Sequence, residues 1–123
     1  MYEESTKEIS VQAEPKFISR ESNSDGYYYI FSYKITIRNE SSSPCQLLSR
    51  HWIIRDGTGH EEHVVGDGVI GKQPVIDPGS SYTYTSGCPL TTPTGNMRGR
   101  YRMLNSNNSE FDIKVPLFFL RAH

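Results

Sequence analysis

Hydrophobic and polar residues alternate with a period of two along most of the chain, and no segment has the 3.6-residue period of an amphipathic helix. The pattern is clearest over residues 27–38, where every second side chain is apolar or aromatic. The apolar face of this segment contains Tyr27, Tyr29, Phe31, Tyr33, Ile35 and Ile37. A strand with one apolar and one mostly polar face is typical of an antiparallel sheet that covers a core on one side.

The same alternation predicts strands on both sides of this segment. A first strand contains Ile9, Val11 and Ala13, and Pro15 either ends it or marks it as an edge. A third strand is predicted over residues 45–55 and its hairpin partner over 60–65. Further strands are predicted over 80–86, 97–103 and 111–119. In the third strand Leu48, Trp52 and Ile54 are in phase, and in the last Phe111, Ile113, Val115, Leu117 and Phe119 are expected to share one face.

Turn and loop signals separate these strands. The polar run at residues 19–26 predicts a loop, and Asp56-Gly57-Thr58-Gly59 predicts a hairpin turn. Residues 87–95 hold two prolines and two glycines, and we expect them to be irregular.

Seven or eight short strands without helices between them exclude a parallel α/β sheet. The pattern predicts an all-β fold, namely a fibronectin type III or immunoglobulin-like sandwich of antiparallel strands, with Trp52 and Tyr101 in its core. A small closed barrel is the alternative. Neither an internal repeat nor a linker is visible, so residues 1–123 are expected to form one domain.

Composition and charge narrow the class of protein. Thirteen Lys and Arg residues balance 14 Asp and Glu residues, which argues against a general nucleic-acid binder. No apolar run is long enough to span a membrane, and the acidic N-terminus is unlike a signal peptide. We therefore expect a cytoplasmic protein that binds neither membranes nor nucleic acid. In that reducing compartment Cys45 and Cys88 are expected to be free thiols.

The segment at residues 66–71 spells G-x-G-x-x-G through Gly66, Gly68 and Gly71. In a dinucleotide-binding domain this motif opens a helix, but Pro74 and the turn Asp77-Pro78-Gly79 leave no room for one. Two interpretations remain. The glycine amides form a nest for an anion, with Lys72 as countercharge, or the glycines allow positive φ angles and close backbone approach. We favour the second.

Three arginines, Arg98, Arg100 and Arg102, alternate along one strand and share one face. Their guanidinium groups suit an anionic ligand and, with the glycine segment, could form one continuous surface for it. The simpler interpretation, which we favour, is a solvated face on which Glu110 or Asp112 of the last strand pairs with them.

The sequence evidence for a metal site or a catalytic residue is weaker than that for an anion site at the glycines and arginines. His60 and His63 of the sequence His60-Glu61-Glu62-His63 point to opposite faces of a strand, which predicts a solvated hairpin rather than a metal site. A nucleophilic Cys88 would need a base such as His51 beside it, and we expect His51 to lie at the edge of the core instead. The sequence therefore predicts no enzyme activity and no cofactor.

Several blocks of sequence together resemble the ApaG family over residues 8–119. These blocks are residues 49–56, 66–74, 78–79, 84–90 and 97–101. The resemblance implies a fibronectin-III-like sandwich of poorly defined biochemical activity. The family's name is associated with cobalt and magnesium tolerance, and its bacterial genes lie near those for dinucleoside-polyphosphate hydrolysis. Related domains of eukaryotic F-box and polymerase-delta-interacting proteins imply protein binding.

Together these observations predict a non-catalytic binding module whose ligand is a protein, contacted through the loops at residues 66–74 and 87–95. The alternative function is pyrophosphate or nucleotide binding, for which the resemblance points to Gly66, Gly68 and Gly71. Enzyme activity ranks last. A homodimer formed at free sheet edges is compatible with the predicted fold. The candidate phosphate-binding residues are Gly66, Gly68, Gly71, Lys72, Arg98 and Arg100.

Overall fold

The computed structural model describes residues 2–122, and these residues form strands connected by turns, with no helix. No helix long and apolar enough to cross a membrane occurs among them. The strands are β1 (Tyr2–Thr6), β2 (Ile9–Asn23), β3 (Gly26–Asn39), β4 (Cys45–Asp56), β5 (Glu61–Asp67), β6 (Val75–Ile76), β7 (Ser81–Leu90), β8 (Thr94–Asn105) and β9 (Glu110–Arg121).

The strands form two antiparallel sheets, which confirms the predicted sandwich. One sheet has the order β1-β2-β3-β7 and the other the order β5-β4-β8-β9. The short β6 pairs with the start of β4, so β5 and β6 follow one another along the same edge of β4. The sequence pattern had not predicted β1 or β6, because β1 is almost entirely polar and β6 has only two residues.

An aromatic cluster joins the two sheets at the centre of the core. Trp52 of β4 makes edge-on contacts with Tyr33 of β3, Tyr101 of β8 and Phe118 of β9. The hydroxyl groups of Tyr84 and Tyr101 form a buried hydrogen bond between the sheets. Both predicted core residues, Trp52 and Tyr101, are therefore in the core, and Tyr101 is fully buried.

A β-bulge in β4 makes one predicted core position wrong. The pairing with β8 shifts between Leu47 and Ser49, so Leu48 is an extra residue. Leu47 is fully buried, Leu48 is only partly buried, and Trp52 restores the core phase on the other side of the bulge. Strict alternation cannot detect such an insertion, because both neighbouring residues are leucine.

A second bulge corrects the predicted face of β9. Between its pairings with Gly99 and Met97, β9 advances from Val115 to Phe118, one residue more than β8. Leu117 and Phe119 are consequently exposed, whereas Phe118 and Leu120 are buried. The predicted assignment of Leu117 and Phe119 to the core face was wrong for this reason.

Two predicted loops are strands instead. β2 continues through Pro15 to Asn23, and β3 begins at Gly26, so most of the predicted loop at residues 19–26 is paired backbone. Pro15 lies just beyond the last residue of β2 that pairs with β1, so from there β2 has a free edge, where a missing N–H costs nothing. This agrees with the predicted alternative that Pro15 marks an edge.

The segment at residues 87–95 was expected to be irregular, but β7 extends to Leu90 and β8 starts at Thr94. Pro89 pairs with Ile30 in a strand at the edge of its sheet. An edge strand tolerates proline when the proline nitrogen faces away from the neighbouring strand.

Candidate functional site

The glycine segment forms a tight turn between the end of β5 and β6. The Val69 N–H donates to the Lys72 carbonyl at 2.8 Å, and the Lys72 N–H donates back to the Val69 carbonyl at 3.0 Å. Ile70 and Gly71 between them have φ angles of 48° and 73°. Positive φ at both central residues is the geometry of a type I′ turn.

Each of the three glycines has a structural reason to lack a side chain. A β-carbon on Gly66 would lie 3.0 Å from the guanidinium nitrogens of Arg50. On Gly68, which has a φ of 62°, it would overlap the Lys72 carbonyl oxygen. Gly71 has open space around it but a φ of 73°, which L side chains rarely adopt. The favoured interpretation of the motif, positive φ and close approach, agrees with this geometry.

Arg50 fixes the turn against the sheet, although the sequence pattern did not identify it as a site residue. Its guanidinium group donates to the carbonyl oxygens of Asp67, at 3.1 Å, and Gly68, at 2.9 Å. Arg50 is two residues from Trp52 and therefore lies on the same face of β4, next to Gly66 on β5. The spacing of two residues between Arg50 and Trp52 could have identified Arg50 from the sequence. An arginine on the same face of a strand as a core tryptophan must find polar partners at the edge of the core.

Further contacts make the turn rigid. The Gly68 N–H donates to the Leu48 carbonyl at 2.8 Å, and the Gln73 side-chain amide donates to the same oxygen at 2.8 Å. Val69 is fully buried in the core. The amides of Gly68, Val69 and Lys72 are thus already hydrogen-bonded within the protein, so a phosphate could reach them only by displacing these bonds.

Next to the buried Val69, the turn presents an aliphatic side chain to solvent. Ile70 is 59% exposed, and as a β-branched residue it adopts a left-handed conformation that normally costs about 1–2 kcal/mol. Val65 of β5 and Val75 of β6 are 70% and 61% exposed. Since β5, the turn and β6 follow one edge of β4, these three residues define one feature, which we call the β5–β6 edge.

The predicted arginine stripe lies on the outer face of the five-stranded sheet. Arg98 contacts Glu61 of β5 at 3.1 Å, and Arg102 contacts Asp112 of β9 at 3.0 Å. Arg102 also approaches Glu110 at 3.4 Å, and Arg100 lies 3.9 Å from Asp112. Arg100 and Arg102 therefore have their expected partners on β9, whereas the partner of Arg98 is Glu61 of β5, which was not predicted. Exposed pairs of this kind contribute at most about 1 kcal/mol each.

The stripe and the glycine turn meet only at one end. Arg102 is paired with Ser49 on β4, and Ser49 with Asp67 on β5, so Arg102 lies two strands from the start of the turn. Arg100 and Arg98 are opposite His51 and Ile53, progressively farther along the sheet. A shallow depression of about 160 Å³ lies on this face. It is lined by Ser49, Arg50, His51, Val65, Arg100, Arg102 and Asp112.

His51 forms a pair with His63 on this outer face instead of packing at the core edge. The Nε2 atom of His51 lies 2.8 Å from Nδ1 of His63. Partial burial, and then the charge of Arg100 and the proximity of His63, lower the pKa of His51. Its ring is therefore neutral at pH 7 and able to share a hydrogen bond with His63. Among residues 2–122, no three His, Cys, Asp or Glu side chains are grouped to hold a metal ion.

The cysteines lie inside the sandwich. Both Cys45 and Cys88 are free and buried, as expected. Burial, with a smaller effect from Glu62, raises the pKa of Cys88 to about 11, and burial also raises the pKa of Cys45. Cys88 is in the four-stranded sheet and His51 is on the outer face of the other sheet, so the two do not form a nucleophile and base pair.

Comparisons with known proteins agree on one family. A family model described as the ApaG domain, DUF525, matches residues 19–105. Protein ApaG of Brucella abortus (strain S19) is 48% identical over 120 residues, which cover 98% of this chain and 92% of the relative. Protein ApaG of Methylocella silvestris is 45% identical with the same coverage of both chains.

Solved structures give the same result. A crystal structure of a Bordetella pertussis protein described as ApaA is 41% identical, with a TM-score of 0.86 and 92% of each chain covered. The X-ray structure of another structural-genomics target is 38% identical, with a TM-score of 0.90, covering 93% of this chain and 86% of the other.

Proposed function

Because the chain belongs to the ApaG family, we propose that it is a non-catalytic binding module that engages a protein partner through its β5–β6 edge. The observation that supports this proposal is Ile70, an exposed aliphatic residue in a strained conformation at the tip of a rigid turn. Strain at an exposed position is maintained only where the surrounding structure fixes it, and it concentrates at functional sites.

The chemistry of the edge favours an apolar contact over a charged one. Val65, Ile70 and Val75 are all aliphatic and all more than half exposed. The turn needs no induced ordering, because Arg50, Gln73 and the buried Val69 already fix it. A preformed apolar projection loses little conformational entropy on binding, so it suits insertion into an apolar pocket of a partner.

Replacing Ile70 with asparagine is expected to abolish partner binding and to stabilise the free protein by about 1 kcal/mol, because asparagine tolerates the left-handed conformation. Urea unfolding measures the stability, and affinity capture from a bacterial lysate, followed by a binding titration with the captured protein, measures the interaction.

The matched control is Ile18→Asn, which makes the same change at a half-exposed isoleucine of the four-stranded sheet. We expect the control to bind the partner like the wild type. Equal binding by wild type and Ile70→Asn, or the absence of any specific partner of the wild type, would contradict the proposal.

In this proposal any effect of the protein on cobalt and magnesium tolerance is indirect and is exerted by the partner that it binds. We also infer a cytoplasmic location, with which the two buried free thiols, Cys45 and Cys88, are compatible.

Pyrophosphate or nucleotide binding is the second candidate function, and the specific observation in its favour is the depression next to Arg100 and Arg102. Arg100 is 3.9 Å from its nearest carboxylate, so much of its hydrogen-bonding capacity is available to a phosphate. Ser49 and His51 add polar groups to the same depression.

Titration with pyrophosphate and with ATP, followed by amide NMR, tests this second function. Binding at the depression is expected to shift the amides of Ser49, His51 and Arg100. Binding at the glycine turn would instead shift Ile70 and Gly71. No shift at ligand concentrations of about 1 mM would rule out binding strong enough to matter at cellular nucleotide levels.

A further inference from the structure

Among the edge strands of residues 2–122 that are longer than two residues, β7 alone has no charged residue. β7 lies at the end of its sheet and is paired with β3 on one side only. Soluble proteins protect edge strands with charges, prolines or bulges, because unpaired backbone groups recruit further strands. β7 has none of these before Pro89. The charged residues of the other long edge strands are Glu3 and Glu4 in β1, Glu61, Glu62 and Asp67 in β5, and Glu110, Asp112, Lys114 and Arg121 in β9.

The register with β3 shows which backbone groups of β7 are free. The Asn39 N–H donates to the Ser80 carbonyl at 3.0 Å, which puts Ser80 in the set of residues that hydrogen-bond to β3. In an antiparallel pair this set alternates, so the even-numbered residues of β7 face β3 and the odd-numbered residues face away. Pro89 is odd-numbered, and its lack of an N–H agrees with this phase.

The outward set therefore presents a row of unpaired N–H and C=O groups along almost the whole strand. Apart from the ladder with β3, none of the described residues 2–122 forms a backbone hydrogen bond with this row. The side chains of the row are small, uncharged and exposed, so another strand can approach without a steric or electrostatic barrier. The outward residues with both groups free are Ser81, Thr83, Thr85 and Gly87.

We propose that β7 pairs antiparallel with β7 of a second copy of this chain, joining two four-stranded sheets across a two-fold axis. When two copies of one strand pair antiparallel across a two-fold axis, the side chains of one copy lie opposite side chains of the identical strand. An edge strand with several like charges would therefore repel its own copy. The uncharged β7 satisfies this condition, whereas β5, with Glu61, Glu62 and Asp67, does not. This proposal is independent of the proposed function, because the β5–β6 edge belongs to the other sheet.

Sedimentation velocity of the full chain over a range from about 10 µM to 1 mM tests the proposal, since a single pair of strands is a small interface that gives a weak dimer. The wild type is expected to shift from monomer towards dimer. The double variant Thr83→Glu/Thr85→Glu is expected to raise the dissociation constant at least tenfold. Thr85 is opposite Lys34 on β3, so the new carboxylates are compatible with the folded monomer.

The control variant is Ser32→Glu/Thr36→Glu, which adds the same charge to the same face of β3, a strand paired on both sides. It is expected to dimerise like the wild type. Mixing the Thr83→Glu/Thr85→Glu variant with Thr83→Lys/Thr85→Lys is expected to restore the dimer as a heterodimer. A monomeric wild type throughout the range, an unaffected glutamate variant, an equally impaired control or a failed rescue by mixing would each overturn the proposal.

Discussion

Phe118→Ala is expected to lower the free energy of unfolding by about 3–5 kcal/mol, the usual cost of deleting a fully buried phenylalanine. Phe118 packs edge-on against Trp52 and also contacts Tyr33 of the opposite sheet. Its removal would leave a cavity between the two sheets, at the centre of the aromatic cluster. Urea or thermal unfolding followed by tryptophan fluorescence measures the loss, because Trp52 is the only tryptophan.

The neighbouring Phe119→Ala is the matched control and is expected to cost about 1 kcal/mol or less, because Phe119 is 40% exposed. Regular alternation from Phe111 predicts the reverse order, with Phe119 in the core and Phe118 outside. The pair of variants therefore tests the bulge in β9. A larger loss for Phe119→Ala than for Phe118→Ala would contradict the observed register.

Gly68→Ala is expected to lower the free energy of unfolding by about 2–4 kcal/mol, as the sum of a left-handed backbone penalty and a steric overlap. The overlap involves the Lys72 carbonyl oxygen, which cannot move without breaking its hydrogen bond with the Val69 N–H. Chemical denaturation gives the energy, and amide NMR shows whether the turn is displaced from Leu48.

Gly71→Ala provides the comparison for this prediction. Its φ of 73° imposes the backbone penalty, but an added β-carbon has no atom within 4 Å, so we expect a loss of only about 1–2 kcal/mol. If both variants are equally stable but lose affinity for a phosphate ligand, the glycines serve the ligand rather than the turn. That result would favour the pyrophosphate or nucleotide hypothesis over the structural explanation.

The glycine variants and the Ile70 variant distinguish the residues of the turn that stabilise the fold from the residue that contacts a partner. The glycines and Arg50 fix the conformation of the turn, whereas Ile70 is more than half exposed and contributes little packing to the free protein. A variant at Ile70 that loses binding without losing stability would therefore identify the contact surface directly. Binding and dimerisation should also respond separately, because the β5–β6 edge and β7 belong to different sheets.

The sequence predicted the elements that obey simple alternation. β3 was predicted almost to the residue, because its buried face reads Phe31, Tyr33, Ile35 and Ile37 without interruption. The arginine stripe and its acidic partners on β9 followed from the same period, since a period of two also fixes the outer face. Where β4 and β9 each contain one extra residue, the same rule assigned Leu48, Leu117 and Phe119 to the wrong environment.

The sequence predicted where the candidate site lies in the chain, but not which residues contact the turn or which of its side chains are exposed. The glycine motif marked the turn, and Pro74 excluded a following helix. The partner of the turn, Arg50, lies 16 residues before Gly66, and only strand pairing brings them together. The exposure of Ile70 depends on which residue of the turn is buried, and that residue is Val69.

Alternation, turn residues and the blocks that resemble the ApaG family are local signals, so the sequence alone was sufficient to predict an antiparallel sandwich, its aromatic core and its family. Only the folded sheets show where the strands slip by one residue, which backbone groups of β7 stay unpaired and which groups accept hydrogen bonds from the amides of the glycine turn. These features depend on hydrogen bonds between residues far apart in the chain, and no local pattern encodes the choice of partner. The surfaces on which both proposals rest, at Ile70 and along β7, are therefore products of the sheet pairing.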